Sequence, residues 1–437
     1  MRTNFTAEQL TRPELAEAND ILRKCVHCGF CNSTCPTFKL TGDELDGPRG
    51  RIYLMKEFLE TQQTPTTDVV RHLDRCLSCL SCMTTCPSGV DYMHLLDTGR
   101  EHIEQHHKRT MAQTILRNCL AFILPRAKLL RLLLLFAPLL RLLGPCLPPA
   151  LRQAGKLATS PRPAPRQQET QQTEQNYTQE VGLLTGCVQS VMGTDINAAT
   201  IRLLQRHDVK VHQLTQCCGA IEQHLGKTAL ARKRIKQNLL QWQDKPLPHL
   251  LSNASGCGTQ LKDYAHIMQT DPTLADQART ITNTSLDITE YLQTLQLKPT
   301  NPDCTGFRVA YHSPCSMQHG QKVHLQPKQL LEQAGFIVTL IPETELCCGS
   351  AGTYNLLQPK MAQELALRKA EHINKLDVQA VATGNLGCML QLQPHINVPI
   401  VHTVTLLDWA TGGPEALKLG GRNPGLVPGA GLEPARP

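Results

Sequence analysis

Residues 25–36 read CVHCGFCNSTCP and residues 76–87 read CLSCLSCMTTCP. Both are C-x2-C-x2-C-x3-C-P: Cys25, Cys28, Cys31 and Cys35 before Pro36, then Cys76, Cys79, Cys82 and Cys86 before Pro87. These runs hold eight of the 19 cysteines in a chain of 437 residues, 41% hydrophobic and 19% charged. That composition excludes wholesale disorder, and the length has room for two or three domains. The opening MRTNFTAEQLTRPELAEAND is polar and helix-like, without the apolar core of a secretory signal. The cysteines therefore read as thiols kept reduced in a cytosolic compartment and used on metal, not as a disulfide framework.

Two successive two-residue gaps let a tight loop aim three thiolates at the corners of one cube, while Cys-Pro turns the chain away. In two-cluster ferredoxins the first three cysteines wrap one [4Fe–4S] cluster and the fourth reaches across to the other. The spacing predicts Cys25, Cys28, Cys31 and Cys86 around one cluster, and Cys76, Cys79, Cys82 and Cys35 around the second. Structural zinc also uses C-x2-C pairs, but has no need of a third cysteine at the same gap or of Cys-Pro twice. His27, inside C-V-H-C, reads as a loop or supporting residue rather than a ligand. The 40 residues between Cys35 and Cys76 include LDGPRGRIYLMKEFLE and DVVRHLDR, both helical in pattern. They predict an α-helical ferredoxin-like domain over residues 1–118, not the compact β-containing type.

Residues 119–178 form a second part, Leu- and Arg-rich to about 150 and Pro- and Gln-rich beyond. The net charge of +7 is concentrated there. Arg126, Lys128, Arg131, Arg141, Arg152, Lys156, Arg162 and Arg166 occur without a single acid between Leu120 and Arg166, so the rest of the chain is nearly neutral. A nucleic-acid partner is therefore not indicated. The charge-free runs are too short and too rich in proline to span a bilayer. The chemistry suits a helix lying on an anionic membrane surface, or one packed on a partner subunit.

From Val181 the apolar runs VGLLTG, VKVHQL, HLLSNAS, FRVAYH, FIVTLIP, VQAVATG and PIVHTV alternate with helical stretches, predicting parallel α/β units. This half repeats itself. GCVQS at Cys187 matches PCSMQ at Cys315, VKVHQLTQCCGA matches FIVTLIPETELCCGSAG, NASGCGTQL matches TGNLGCMLQL, and TSLDITEYL matches TVTLLDWA. Steady offsets of 128, 130 and 131 residues mark a duplicated domain, over residues 179–300 and 301–410. Residues 411–437 read as a disordered tail. The expected fold is thus α+β and multidomain: an α-helical two-cluster ferredoxin domain followed by a duplicated α/β Cys-Cys-Gly domain.

Each repeat carries four cysteines: Cys187, Cys217, Cys218 and Cys257, then Cys315, Cys347, Cys348 and Cys388. They follow predicted strands, at the edge where α/β sheets place their sites, and the glycine after each pair permits a kinked backbone. Inert core thiols are the alternative, which recurrence of the whole pattern counts against. Cys119, Cys146 and Cys304 have no partner at ligand spacing and read as packing residues. His102 and His106, flanked by Glu101 and Lys108, read as a solvated helix face.

Two C-P ferredoxin motifs followed by two Cys-Cys-Gly domains, with GPRGRIYLMKEF, RCLSCLSCMTTCPSGVDY and GNLGC, closely resemble the iron–sulfur subunit of glycolate oxidase (glycolate dehydrogenase) over residues 10–410. The C subunit of anaerobic glycerol-3-phosphate dehydrogenase and heterodisulfide reductase subunits are similar. The resemblance implies a subunit carrying electrons from flavoprotein subunits, which oxidise glycolate to glyoxylate, through its clusters to membrane quinone. Its place would be peripheral, on the cytoplasmic face of the bacterial inner membrane. Glycerol-3-phosphate or lactate could replace glycolate, and a heterodisulfide reductase-like catalytic role is a further alternative. The motif in those reductases closes with C-x-x-C, whereas Ala254 and Gln260 flank Cys257 and Asn385 and Gln391 flank Cys388. Four thiolates per repeat still suffice for one further iron–sulfur or other metal centre. No G-x-G-x-x-G, P-loop or G-x-S-x-G occurs, so no catalytic residue is assigned here, and FAD is expected in the partner subunit only.

Overall fold

A computed structural model describes residues 1–138, 152, 155, 177–243 and 246–416. Cys146, Arg141 and most of the Pro- and Gln-rich stretch lie outside the described residues.

Residues 1–118 are helical throughout, with no strand. Proline opens the helices Pro13–Lys24, Pro36–Thr41 and Pro48–Thr61, where its fixed φ is already helical and its missing N–H costs nothing. Leu15, Ala18 and Leu22 on the first meet Ile52, Met55, Phe58 and Leu59 on the third. Leu95, Leu96 and Ile103 of the helix Tyr92–His106 complete this core. These spacings of three and four bury one stripe of each helix.

Each repeat is a four-stranded parallel sheet. The first has the order β2-β1-β3-β4, with β1 Gln179–Leu184, β2 Val209–Leu214, β3 Leu250–Ser252 and β4 Ser285–Asp287. The second has the same order, β6-β5-β7-β8, with β5 Arg308–His312, β6 Ile337–Leu340, β7 Ala380–Thr383 and β8 Ile400–His402. All seven predicted runs are strands; β4 is an eighth. The central runs are apolar because helices cover both faces of a parallel sheet.

The two repeats share one core, in which Val181, Leu183 and Leu203 pack with Val309, Tyr311 and Leu407. The helix Thr194–Arg206 packs on Thr403–Ala410, and Ile288–Thr294 on Gln326–Gln333. Equivalent helices thus exchange places, and the repeats meet about an approximate two-fold. Asp408, fully buried there, accepts from Arg202 Nε at 3.0 Å and from Arg206 Nη2 at 3.0 Å.

Three expectations need correction, and the packing of the Leu-rich segment adds to a fourth. The fold runs beyond Ala410: Thr411 Oγ1 accepts from Arg206 Nη1 at 2.7 Å and Ala416 is fully buried, so the tail does not begin at residue 411. His102 is buried, its ring stacked 5.1 Å from Phe58, because it falls on the same stripe as Leu95 and Ile103; only His106 is exposed. Cys119 is exposed and does not pack, whereas Cys304 is buried in the core as expected. The Leu-rich segment covers its own chain: Leu130 and Leu134 of the helix Ala127–Leu134 bury against Val191 and Ile196 of the first repeat and Leu386 of the second. Leu132, Leu133, Leu135 and Phe136 remain exposed. Among the described residues no helix is long and apolar enough to cross a membrane.

Candidate iron–sulfur and thiolate sites

The two cysteine loops follow one backbone plan. Around the second cysteine of each run, His27 and Gly29 have φ of +58° and +86°, and Ser78 and Leu80 have φ of +52° and +62°. Two left-handed residues either side of a thiol curl the loop around a point, a conformation non-glycine residues hold only under constraint. Cys25, Cys28, Cys31 and Cys86 line one hollow with about 440 Å³ free of protein atoms. Cys35, Cys76, Cys79 and Cys82 line a second of about 310 Å³. Pro48, Cys82 and Tyr92 border both, so the hollows are neighbours. The first hollow has five thiols on its wall and the second four, with Cys82 shared, enough for the four-thiol donor set a [4Fe–4S] cluster requires in each. Burial pushes the Cys31 thiol up to about 11, reinforced by Cys25, Cys86 and Cys28. Burial likewise raises Cys79 and Cys82. Thiols crowded this way ionise when metal replaces their protons.

A cation stands behind the second hollow. Arg51 is 1% exposed; its Nη1 lies 4.0 Å from Cys35 Sγ, while Nε donates to His72 O at 2.8 Å and Nη2 to Thr37 Oγ1 at 3.0 Å. Tyr92 OH donates to Cys76 Sγ at 3.7 Å. Asp46 accepts from Arg75 Nη1 at 2.7 Å and holds His72 Nδ1 at 2.8 Å. The sequence signal for Arg51 is its place i−4 and i−7 from Met55 and Phe58, a charge on an apolar stripe. His27, as a loop residue, lines the first hollow edge-on to Tyr53.

In the repeats the thiols gather at the carboxyl ends of three adjacent strands, two central and one at the edge. Cys187 follows β1, Cys217 and Cys218 follow β2, and Cys257 follows β3. Hydrogen bonds run Cys187–Cys217–Cys218–Cys257; they lower Cys217 and raise Cys187 and Cys218. In the second repeat Cys315 Sγ is 3.8 Å from Cys347 Sγ, and Cys348 Sγ 3.3 Å from Cys388 Sγ. Gly219 and Gly349 have φ of +93° and +86°, and a Cβ on Gly349 would stand 2.4 Å from Ala362 O. Only glycine turns the Cys-Cys pair so closely against the next helix. This second set abuts the ferredoxin-like domain: Leu77, Cys79, Leu346, Cys347 and Tyr354 form one apolar cluster, with Cys315 against it. Lys39 Nζ to Glu345 Oε1, 2.8 Å, closes the same junction.

Residues 21–90 match the family of 4Fe-4S dicluster domains, and residues 181–262 and 309–393 match the cysteine-rich (CCG) domain. The chain is 37% identical over 418 residues to the glycolate oxidase iron–sulfur subunit of Escherichia coli (strain K12), covering 94% of this chain and 99% of that one. The chain belongs to the glycolate oxidase iron–sulfur subunit family. A probable glycolate oxidase iron–sulfur subunit of Bacillus subtilis (strain 168) is 29% identical over 421 residues, with 90% and 94% coverage. Lactate utilization protein A of Oceanobacillus iheyensis is 26% identical over 238 residues, spanning 52% of this chain and 96% of that protein. For this family member the iron–sulfur character and the mixed architecture, ferredoxin-like then duplicated α/β, stand on both comparison and fold.

Proposed function

We propose that this chain is the electron-transfer subunit of a glycolate dehydrogenase. Cys25, Cys28, Cys31 and Cys86 hold one [4Fe–4S] cluster, and Cys76, Cys79, Cys82 and Cys35 the other; the Cys-Cys-Gly thiols hold a further centre. When bound, the clusters supply one-electron transfer. Flavoprotein subunits carrying FAD oxidise glycolate to glyoxylate, and membrane quinone is the final acceptor. The observation that carries this reading is the adjacency of the two thiol-lined hollows, with Cys79 of the second against Cys315 and Cys347.

The chain's own residues have distinct tasks. The paired thiols fix positions; Arg51 and Tyr92 offset the negative charge gathered on Cys35 and Cys76. The apolar cluster around Leu77 and Leu346 excludes water from the junction between the ferredoxin-like domain and the second repeat. Exposed Val26 and Phe30 beside the first hollow offer a surface for the flavoprotein. Exposed Leu135 and Phe136, near Arg126 and Lys128, suit peripheral attachment to the cytoplasmic face of the inner membrane.

The test is the complex, purified anaerobically with a tagged copy of this chain. It should contain flavoprotein subunits and at least about eight iron and eight sulfide per chain, and glycolate should generate the reduced-cluster paramagnetic signal. A colourless zinc protein would refute the reading. Reduction by lactate but not glycolate would favour the second reading, an equivalent lactate enzyme, to which the half-length match with lactate utilization protein A points.

A further inference from the structure

One four-residue pattern occurs in both domains and meets itself at their junction. Asp91, Tyr92, Met93 and His94 open the helix Tyr92–His106 of the ferredoxin-like domain. Asp263, Tyr264, Ala265 and His266 open the helix Tyr264–Ile267 of the first repeat. Each tyrosine turns inward to the cysteines of its own domain: Tyr92 OH donates to Cys76 Sγ at 3.7 Å, and Tyr264 OH to Cys218 O at 2.8 Å. The two histidines meet at the junction, their rings stacked with centroids 3.5 Å apart. Asp91 Oδ2 lies 2.7 Å from His94 Nδ1, and Asp263 Oδ1 lies 2.9 Å from His94 Nε2. Glu17, on the helix Pro13–Lys24, completes the group with its Oε1 3.5 Å from His266 Nδ1.

One ligand atom from each of Glu17, His94 and His266 lies within 4.8 Å of the others. Two rings stacked so closely do not both carry charge, so His266 keeps a ring lone pair, the form that ligates metal. Its 3.5 Å separation from Glu17 is long for a hydrogen bond. That spacing is instead close to the roughly 3.4 Å between two ligands of one tetrahedral ion with bonds of about 2.05 Å. Three carboxylates face the rings, an excess of negative charge that a divalent ion offsets better than one proton does. Asp91, on the other nitrogen of His94, stands where a carboxylate orients a ligating imidazole.

We infer that His94, His266, Glu17 and Asp263 bind a zinc-type divalent ion that bridges the ferredoxin-like domain and the first repeat. The site shares no ligand with the thiol sites and does not rest on the electron-transfer reading. Two imidazoles with carboxylate oxygen are a donor set for such an ion. Without the ion, a proton between His94 and Asp263 holds the same contact; the ion takes its place and fans the two rings apart. The side chains of His266 and Glu17, 28% and 34% exposed, leave it a way in from solvent.

The experiment uses the intact complex, purified anaerobically, passed over a chelating resin and equilibrated with zinc chloride at about pH 8. The wild type should hold about one zinc per chain more than His266→Gln, a difference that cancels any zinc on the thiols. Zinc at about ten times its half-saturating concentration should slow proteolysis at the junction about tenfold in the wild type and not in His266→Gln. Should His266→Gln itself loosen the junction, Glu17→Gln, on a more exposed side chain, should raise the half-saturating zinc concentration more than about tenfold. Equal zinc in the wild type and His266→Gln would overturn the site. So would protection that survives in His266→Gln, a wild-type junction indifferent to zinc, or half-saturation unchanged in Glu17→Gln. None of these outcomes touches the electron-transfer reading, which fails instead on the iron count and the glycolate-generated signal.

Discussion

Arg51 offers a quantitative test of which thiols share a cluster. Replacing it by Gln removes a buried positive charge while keeping a donor for His72 O. Asp46 is not stranded, because Arg75 and His72 still bind it at 2.7 and 2.8 Å. At the 4.0 Å between Arg51 Nη1 and Cys35 Sγ, two unit charges interact by about 4 kcal/mol at an effective dielectric constant of about 20. An electron added to a cluster spreads over the whole group, so the mean distance roughly doubles and the interaction falls to about 2 kcal/mol. With about 1.4 kcal/mol and 59 mV per decade for one electron, that is roughly 90 mV. Loss of the cation disfavours the reduced, more negative form, so the potential should fall. Only the cluster of Cys35, Cys76, Cys79 and Cys82 should move, since Arg51 does not line the other hollow. Arg51→Lys, which keeps the charge but not the fork, should retain most of the original potential. The assay is a redox titration of the complex followed by electron paramagnetic resonance. Equal shifts in both clusters, a shift upward, or no measurable shift would refute the reasoning.

Other expectations follow from particular contacts. Gly219→Ala and Gly349→Ala both place a side chain at positive φ, costing about 1 kcal/mol each. Only the second also drives Cβ to 2.4 Å from a backbone carbonyl, against 3.6 Å in the first. Gly349→Ala should therefore lose clearly more stability, read as faster hydrogen exchange in the helix Pro359–Asn374. His94 bridges Asp91 at 2.7 Å and Asp263 at 2.9 Å, joining the ferredoxin-like domain to the first repeat. Burial opposes its charge, but the bonds to Asp263 and Asp91 outweigh it and raise the imidazole to about 10 from an ordinary 6.5. Stability from a raised group is complete below 6.5 and is lost as pH rises towards 10. The contact should thus weaken by on the order of 2 kcal/mol between pH 6.5 and 8. Proteolysis at this junction should accelerate over that range, and His94→Gln should flatten the dependence. Replacing Arg126, Arg131 and Arg141 by Gln should increase release of the complex from membranes in high salt; unchanged retention would sink the electrostatic account of attachment.

The cysteine loops, the duplication and the strand-end placement of the thiols could be read from spacing, because those features repeat at fixed intervals. Strand β4 carries no apolar run in the sequence: SLD holds one apolar residue, whereas the equally short β3 and β8 hold two each in LLS and IVH, although TSLDITEYL matches its counterpart in the second repeat. The burial of His102 was misjudged because its acidic and basic neighbours suggested water, while the stripe through Leu95 and Ile103 pointed inward. Arg51 and Lys369 share one cause. Each is a cation on an otherwise apolar stripe, Lys369 between Leu365 and Ile373, and a buried cation is intelligible only once the thiols it faces are known. Where the Leu-rich segment packs depends on tertiary geometry, and no periodicity specifies that its partners are Val191 and Leu386.

The two-fold packing of the repeats makes two similar thiol pockets, but one ferredoxin-like domain cannot face both alike. It meets the first repeat through polar bonds from three helices: Asp97 accepts from Gln223 Nε2 at 2.9 Å, His94 Nε2 lies 2.9 Å from Asp263 Oδ1, Arg117 Nη2 donates to Leu225 O at 2.9 Å, and Glu17 pairs with His266 at 3.5 Å. It meets the second through Cys79 itself, packed with Cys347 in an apolar cluster. The second pocket thus adds its thiols to four others across an apolar contact, where negative charge is less screened than in solvent. His312, near Cys348 and Cys388, and Lys369, beside Cys347 and Cys348, both stand at that pocket, replacing Leu184 and Asn238 of the first. A neutral donor and a buried cation are the changes electrostatics demands there, whereas the first pocket, farther from the ferredoxin thiols, has the half-buried Arg234 near Cys217. The asymmetry of the duplicated half therefore follows from where one domain docks.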